Sequence, residues 1–415
     1  MTHSGHRARA GAVPLVGPRF HTDPQRHYAE LRAEHGPVVP VELPGGIPAW
    51  LVIGYRELHQ VITDTAMFPR DVSLWNQWPN IPDDWPLLPM VGRHFTSPEQ
   101  ARRHSTVVET ALESVDAFAL RNSTETLADR LIDGFCGRGR ADLVADFAEP
   151  IPALALAWML GFPPDSGDKL ARIMKAMADG GADAQSAHVG FAEQIGALLA
   201  RARAHPGTDI ASVFLRNPGA FTDDEEYVLV LMAIMLAGHL TTADWLSNTV
   251  RLMLTEDRFA AALGAGRHSV GQAMNEVLWE DTPSQILCGR WAVRDTRLAD
   301  RVIRAGDMLM LGLAAANADP HVRQHLDGTV GEDPVYSGNQ AHFSFGHGVH
   351  RCPYPAQQIA EVIARTAIEV LLDRLPDLDL AVPAAELTRR PSPFLRGTTA
   401  LPVRFTPVPA LGGAR

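Results

Sequence analysis

The sequence predicts a mainly α-helical protein with small β-sheets. Apolar residues recur at helical spacing from about residue 100 to about residue 265, which is typical of packed amphipathic helices. Short runs with strand character lie near both ends, at 37–54, 291–313 and 401–405. Hydrophobic residues make up 46% of the 415 positions and charged residues 20%, so the chain can bury a large core and is not intrinsically disordered.

The first elements are an arm and a hairpin. Residues 1–17 are predicted to form a flexible N-terminal arm. Residues 37–43 and 48–54 have short β character and are separated by Gly45-Gly46, so a β-hairpin is expected there.

The most strongly marked helix lies in the middle of the chain. Thr222-Asp-Asp-Glu225 is a capping-box pattern before an apolar run, which predicts a helix from about Asp223 to about Leu254. Such a helix is roughly 45 Å long at ~1.5 Å per residue, enough to cross a whole domain. Gly238 and Thr241 weaken the hydrogen-bond ladder in its middle, so a local distortion is expected.

Charge and cysteine usage limit the partners and the compartment. The net charge of −11, with 37 Lys and Arg against 48 Asp and Glu, argues against nucleic acid or an anionic membrane as a partner. Three cysteines, Cys136, Cys288 and Cys352, lie far apart and are odd in number, which argues against a disulfide framework. The N-terminus lacks the apolar core of a signal peptide, and the apolar run Tyr227 to Gly238 is too short to span a bilayer. A cytoplasmic protein is therefore expected.

One segment near the C-terminus carries the chemistry. Phe343-Ser-Phe-Gly-His-Gly-Val-His-Arg-Cys352 places a cysteine at the end of a glycine-bearing loop, directly before a predicted helix over 356–375. Loop N–H groups and the helix dipole favour a thiolate, which is the form that binds iron. The alternative is a buried structural cysteine. The motif resembles the haem-binding loop of the cytochrome P-450 superfamily at five positions: Phe345, Gly346, Gly348, His350 and Cys352.

This resemblance covers nearly the whole chain. It implies a single haem-thiolate oxygenase domain over 18–415, with the cytochrome P-450 fold: a helix-rich body, a smaller β region, and haem b (iron protoporphyrin IX) between two helices. It implies Cys352 as the iron ligand of a monooxygenase that oxidises a hydrophobic small molecule of secondary metabolism. We identify no flavin or iron–sulfur segment in the sequence, so electrons are expected from ferredoxin and ferredoxin reductase.

The central helix resembles the oxygen-binding groove of the family, with one departure. On that match, Ala237 and Gly238 leave room for O2 and Thr241 offers it a hydroxyl. The acid that precedes the threonine in the family is replaced by Leu240, which cannot move a proton. Three interpretations stay open: a monooxygenase, a haem protein that uses peroxide or couples rings, and a non-catalytic binding or partner protein with the P-450 fold.

Further haem contacts follow from the resemblance. Arg290 and His350 match residues that bind haem propionates, and His104 is expected to do so from an altered His-x-x-x-Arg pattern.

A second departure concerns a buried ion cluster. Trp279 stands where the family motif Glu-x-x-Arg has its arginine, as in a minority of actinobacterial-type members, while Glu276 matches. The arginine that completes the cluster also has no match between Arg323 and Arg351. Either Glu276 is more exposed or bonded elsewhere, or the Trp279 indole donates one bond and fills the volume of the guanidinium.

Residues 71–95 match the substrate-covering segment of the family and hold three tryptophans among prolines. These tryptophans either face an apolar ligand or attach the loop to the body, and the sequence favours neither. The predicted substrate-pocket residues are Trp75, Trp78, Trp85, Met232, Met235, Ile286, Leu287 and Phe394.

Overall fold

The structure is a computed structural model that describes residues 11–15, 17–82, 84–91, 98–179, 184–217, 219, 221, 223–256, 268–322 and 339–412. The predicted mainly α fold with small β-sheets is confirmed. The α-helices are α1 (Arg19–Thr22), α2 (Pro24–His35), α3 (Tyr55–Thr63), α4 (Leu88–Val91), α5 (Pro98–Glu113), α6 (Ala117–Asp133), α7 (Pro150–Leu160), α8 (Gly167–Asp179), α9 (Ala184–Ala204), α10 (Ile210–Leu215), α11 (Asp224–Thr255), α12 (His268–Glu280), α13 (Leu313–Asn317) and α14 (Tyr354–Arg374).

The strands form three sheets. They are β1 (Val13–Pro14), β2 (Val38–Leu43), β3 (Ile47–Val52), β4 (Arg140–Asp142), β5 (Ile286–Trp291), β6 (Thr296–Leu298), β7 (Arg301–Ile303), β8 (Met308–Gly312), β9 (Asp379–Leu380) and β10 (Pro402–Arg404). The largest sheet has the order β1-β2-β3-β8-β5, the second β4-β10-β9, and β6 pairs with β7. In the largest sheet β1 is parallel to β2 and β3 to β8, while β2–β3 and β5–β8 are antiparallel.

The chain divides into two compact units. One, here called the sheet unit, comprises residues 1–101, 278–352 and 389–396 and contains the five-stranded sheet. The other, here called the helical unit, comprises residues 102–277, 353–388 and 397–415. Within the helical unit, α11 packs against α7, α9 and α14. That 18–415 acts as a single domain stays a prediction.

The hairpin is confirmed and the arm is corrected. Strands β2 and β3 pair antiparallel from Val38 opposite Val52 to Leu43 opposite Ile47. Gly45 and Gly46 both have positive φ, which glycine adopts without steric cost. Residues 13–15 are not flexible, because β1 pairs with β2 and Leu15 is buried. The arm predicted to end at residue 17 therefore ends before residue 13, and residues 1–10 lie outside the described ranges.

The long helix lies within one residue of its predicted bounds. Its cap is Asp223, whose carboxylate accepts a hydrogen bond from the Glu226 N–H at 2.9 Å. The expected distortion is wrong, because the helix is continuous through its middle. The Thr241 hydroxyl donates to the Ala237 carbonyl at 2.6 Å, so it bonds to the helix without breaking it.

In the part of the chain that the structure describes, α11 alone is long and apolar enough to cross a membrane by length and composition. The apolar run Tyr227 to Gly238 therefore underestimated the length of the apolar helix. Length and composition are weak evidence for a membrane span, because the core helices of globular proteins meet the same criteria and 44% of the apolar window is buried.

Candidate functional site

The cysteine loop closes on itself. The Cys352 N–H donates to the Phe345 carbonyl at 2.8 Å, and the Gly346 N–H donates to the Phe343 carbonyl at 2.7 Å. Gly346 and Gly348 have φ of +70° and +71°, a region that disfavours any residue with a Cβ. The glycine spacing of the motif is thus a requirement of this turn, which returns Cys352 to the side of Phe345.

Helix α3 supports the loop within the sheet unit. The Tyr55 hydroxyl donates to the Ala341 carbonyl at 2.6 Å, and its ring centre lies 4.5 Å from that of Phe343. One and two turns further along the helix, His59 stacks near His347 with ring centres 5.2 Å apart, and the Ile62 carbonyl faces Gly348. These α3 residues share one face because they are spaced by four and three positions.

A cavity of the sheet unit lies against this loop. It is lined by Ile62, Arg70, Leu287, Cys288, Arg290, Leu311, Leu313, Gly346, His347 and His350. Arg290 and His350, which the motif match singled out separately, therefore face one cavity.

Two arginines, Arg70 and Arg290, and two histidines, His347 and His350, line this cavity. Arg290 is only 4% exposed, and its Nη1 donates to the Gly289 carbonyl at 3.1 Å. Its Nε is buried and has no hydrogen-bond partner among the described residues. Burial, reinforced by Arg70, lowers the pKa of Arg290 to about 10. Burial, followed by Arg290 and Arg70, lowers the pKa of His350 to about 4. The charges of Arg70 and Arg290, beside a neutral His350 imidazole that can still hydrogen-bond, favour an anionic ligand, and haem propionates fit them as carboxylates.

Sequence reasoning missed Arg70. It follows Phe68-Pro69 in an irregular segment, where no spacing motif marks it. Solvent reaches its side chain, yet surrounding protein still lowers the pKa of Arg70 by desolvation, because the guanidinium lines the cavity.

The cysteine itself is more desolvated than the loop motif predicts. Burial raises the pKa of the Cys352 thiol to about 11, so the stabilisation expected from loop N–H groups and the helix dipole does not suffice for a thiolate at neutral pH. A bound metal cation would supply the missing charge, because a coordinating thiol is deprotonated. Burial likewise raises the pKa of Cys288 to about 12, so that cysteine stays a neutral thiol.

His104 does not have the partner predicted for it. Its Nε2 lies 2.5 Å from the Glu226 carboxylate, and Arg103 lies 3.7 Å from the same oxygen. Glu226 is buried at the start of α11, and a buried carboxylate needs cationic or N–H partners. The imidazole that was predicted to bind a propionate instead bonds to a carboxylate of the helical unit.

The groove residues of α11 have roles of their own. A Cβ on Gly238 would lie 3.1 Å from a methyl group of Leu156, so this glycine allows α7 to pack closely. Ala237 is exposed, whereas Leu240 and Thr241 are half-buried. That Ala237 leaves room for O2 stays a prediction, and the packing of Leu156 is sufficient reason for Gly238.

One sequence-based account of Glu276 is wrong, because this residue is buried rather than more exposed. The account of Trp279 agrees with the structure: its ring is 1% exposed and fills space, and its indole N–H donates one hydrogen bond, to the Asn339 carbonyl at 3.0 Å.

A buried ion cluster does occur in the sheet unit, on Asp281. This carboxylate accepts hydrogen bonds from Arg389 at 2.8 Å and from Arg396. The sequence did not reveal this cluster because its arginines follow the aspartate by more than a hundred positions.

The tryptophan segment packs as core. Trp75 and Trp85 are buried in the main hydrophobic cluster of the sheet unit, and the Trp75 ring centre lies 5.2 Å from that of Trp78 and 5.6 Å from that of Trp85. Trp78 and Trp85 donate their indole N–H groups to backbone carbonyls. A proline-rich segment that forms only short helical turns needs such anchors, so these contacts favour the attachment role over the pocket role.

Of the other predicted pocket residues, Leu287 alone lines the cavity and the rest pack in hydrophobic cores. Met232 and Met235 are buried in the helical unit, and Ile286 is buried in the sheet unit, where Phe394 packs against the same core. Leu287 is 39% exposed and lines the cavity beside Arg290.

Comparisons with known proteins agree with this geometry. No family model matches the chain. It is 31% identical to the cytochrome P450 monooxygenase PikC of Streptomyces venezuelae over 97% of each chain, and 30% identical to the vitamin D(3) 25-hydroxylase of Pseudonocardia autotrophica over 95% of this chain and 96% of that one. The fold matches CYP154C4 of Streptomyces sp. ATCC 11861 with a TM-score of 0.83, at 27% identity, covering 95% of this chain and 98% of the other.

The chain therefore belongs to the cytochrome P450 superfamily, of the bacterial, actinomycete type. It is an oxidoreductase of the monooxygenase class, whose cofactor is a haem held by a cysteine thiolate.

Proposed function

We propose that the protein is a cytoplasmic monooxygenase of secondary metabolism. It inserts oxygen into a hydrophobic small molecule, with electrons from ferredoxin and ferredoxin reductase. The observation that carries this proposal is the meeting of Arg70, Arg290 and His350 at one cavity beside the Cys352 loop. We also infer that Trp279 places the chain in a minority branch of the family.

The residues have distinct roles toward haem b. Cys352 would bind the iron, and the Phe345–Gly348 turn holds that cysteine in place. Arg290, His350 and Arg70 would bind the propionates, and the buried Nε of Arg290 has a hydrogen bond left to donate. When bound, the haem-thiolate supplies the activation of O2.

The exposed surfaces suit an apolar substrate. Leu229 and Leu236 are both 40% exposed and lie seven positions apart on α11, so they share one face of the helix. Ala237 is exposed beside them, and Leu287 is exposed in the sheet unit. The vitamin D(3) 25-hydroxylase relative is named for an apolar substrate, which agrees with this chemistry.

The first experiment compares two cysteine variants by the absorption spectrum of the reduced protein under carbon monoxide. The wild type and Cys136→Ala, which removes a buried thiol of the helical unit, should both show the strongly red-shifted Soret band of thiolate ligation. Cys352→Ala should lose that band. If the band persists in Cys352→Ala, the ligand assignment is wrong.

One observation favours a second candidate, a haem protein driven by peroxide. Leu240 moves no proton, and the Thr241 hydroxyl already donates to the Ala237 carbonyl. Peroxide brings its own protons and electrons, so it needs less from this part of α11. Turnover with O2 and reduced ferredoxin but not with peroxide would exclude this candidate, and the reverse result would establish it.

A further inference from the structure

The end of helix α12 makes several contacts with the segment that leads to Cys352. The Trp279 indole N–H donates to the Asn339 carbonyl at 3.0 Å. The same ring meets the edge of His342 at a right angle, with ring centres 5.7 Å apart. Trp279 is 1% exposed, so solvent does not compete for either contact.

The preceding residue adds two more ties. The Leu278 carbonyl accepts hydrogen bonds from the Ser344 hydroxyl at 2.5 Å and from the Asn317 side-chain amide at 3.0 Å. The oxygen of that same amide accepts the Phe343 N–H at 2.8 Å. The end of α12 thus bonds directly to Asn339 and Ser344, and it is linked to Phe343 through the Asn317 side chain.

Helix α3 holds part of the same segment. The Tyr55 hydroxyl donates to the Ala341 carbonyl and its ring packs on Phe343, and a Cβ on Gly348 would lie 3.5 Å from the Ile62 carbonyl. Residues 339–348 are therefore tied to both α3 and α12, immediately before the turn in which Cys352 bonds to the Phe345 carbonyl.

We propose that Trp279 is a positioning residue that fixes the Cys352 loop through Asn339 and His342, in place of a charged cluster. An arginine at this position needs a buried carboxylate to balance its charge, whereas a neutral indole needs one carbonyl. The missing arginines are thus tolerated, because the helix end holds the loop by neutral contacts. The consequence for haem ligation rests on the proposed function, but the contacts themselves do not.

The test compares Trp279→Phe with Trp245→Phe in the haem-containing protein. Trp245 is a matched control: it is 4% exposed and its indole N–H also donates to a backbone carbonyl, that of Met274, at 2.9 Å in the helical unit. Hydrogen exchange resolved by peptide is the primary measurement. Trp279→Phe should speed exchange in residues 339–352 by roughly tenfold, as expected for one lost buried hydrogen bond, and Trp245→Phe should leave those peptides unchanged.

The carbon monoxide spectrum gives a second readout. Trp279→Phe should convert part of the thiolate band to the form without the red shift, and Trp245→Phe should not. Ser344→Ala, which removes a milder tie to the same helix end, should change both readouts in the same direction and by less.

Unchanged exchange in residues 339–352 of Trp279→Phe, or an equal increase in Trp245→Phe, would overturn the proposal. A wild type that lacks the thiolate band contradicts the proposed function instead, and the exchange data still decide whether Trp279 holds the loop.

Discussion

Acidification should destabilise the protein through His342. This histidine is 7% exposed, and its Nδ1 accepts the Ser344 N–H at 3.3 Å. Burial lowers the pKa of His342 from 6.5 to about 4. The unfolded chain therefore binds the proton more readily than the folded one, so stability is lost as the pH falls below about 6.5 and continues to fall until about pH 4.

The size of the effect follows from the two pKa values. The full difference corresponds to about 3 kcal/mol of unfolding free energy, and about 2 kcal/mol of it is lost between pH 7 and pH 5. Because the His342 side chain is almost fully buried, solvent screening reduces this free energy only slightly. Protonation also removes the Nδ1 lone pair that receives the Ser344 N–H, so the loop is loosened by the same event.

The assay is urea unfolding of the haem-containing protein at pH 7 and pH 5. His342→Asn keeps a short acceptor side chain but does not titrate, so its stability should fall less than that of the wild type, by about 2 kcal/mol. His205→Asn, at an exposed position, should follow the wild type at both pH values. Parallel losses in the wild type and His342→Asn would refute the assignment of the pH dependence to this side chain.

Two further substitutions test the ion cluster and the cavity. Asp281→Asn leaves two partly buried arginines without their carboxylate and should cost about 3–5 kcal/mol of unfolding free energy. Its control is Asp379→Asn, in an exposed pair with Arg404, which should cost less than about 1 kcal/mol. Equal costs in the two variants would contradict the burial argument. Arg70→Met should speed haem transfer to apomyoglobin roughly 10- to 100-fold by removing a charged donor at the cavity, with exposed Arg297→Met as control; identical rates would remove Arg70 from the site.

Local sequence signals predicted the elements that local interactions determine. The long helix α11 has an acidic cap and an unbroken apolar pattern, so its ends fell within one residue of the prediction. The β2–β3 hairpin needed only two strand-like runs and two glycines. Strand β1 has two residues and exists because β2 offers it an edge, and no pattern within the first fifteen residues encodes that pairing.

Among the site residues as well, local motifs predicted some positions and the tertiary fold alone determines others. The cysteine loop and its glycines were predictable because the turn demands positive φ at fixed spacing. Arg290 followed from the same kind of motif match, whereas Arg70 is brought to the cavity by the tertiary fold alone. His104 shows the converse, because a buried glutamate at the start of α11 takes the imidazole that the motif match assigned elsewhere.

In the sheet unit, different residues hold the cysteine loop and form the buried ion pairs. Neutral contacts from Trp279 hold the cysteine loop, while Asp281, directly after α12, pairs with Arg389 and Arg396. Electrostatic strain lies at the cavity, where burial and the neighbouring charge of Arg70 lower the pKa of Arg290. An anionic ligand relieves that strain, so haem carboxylates stabilise this unit as well as being held by it.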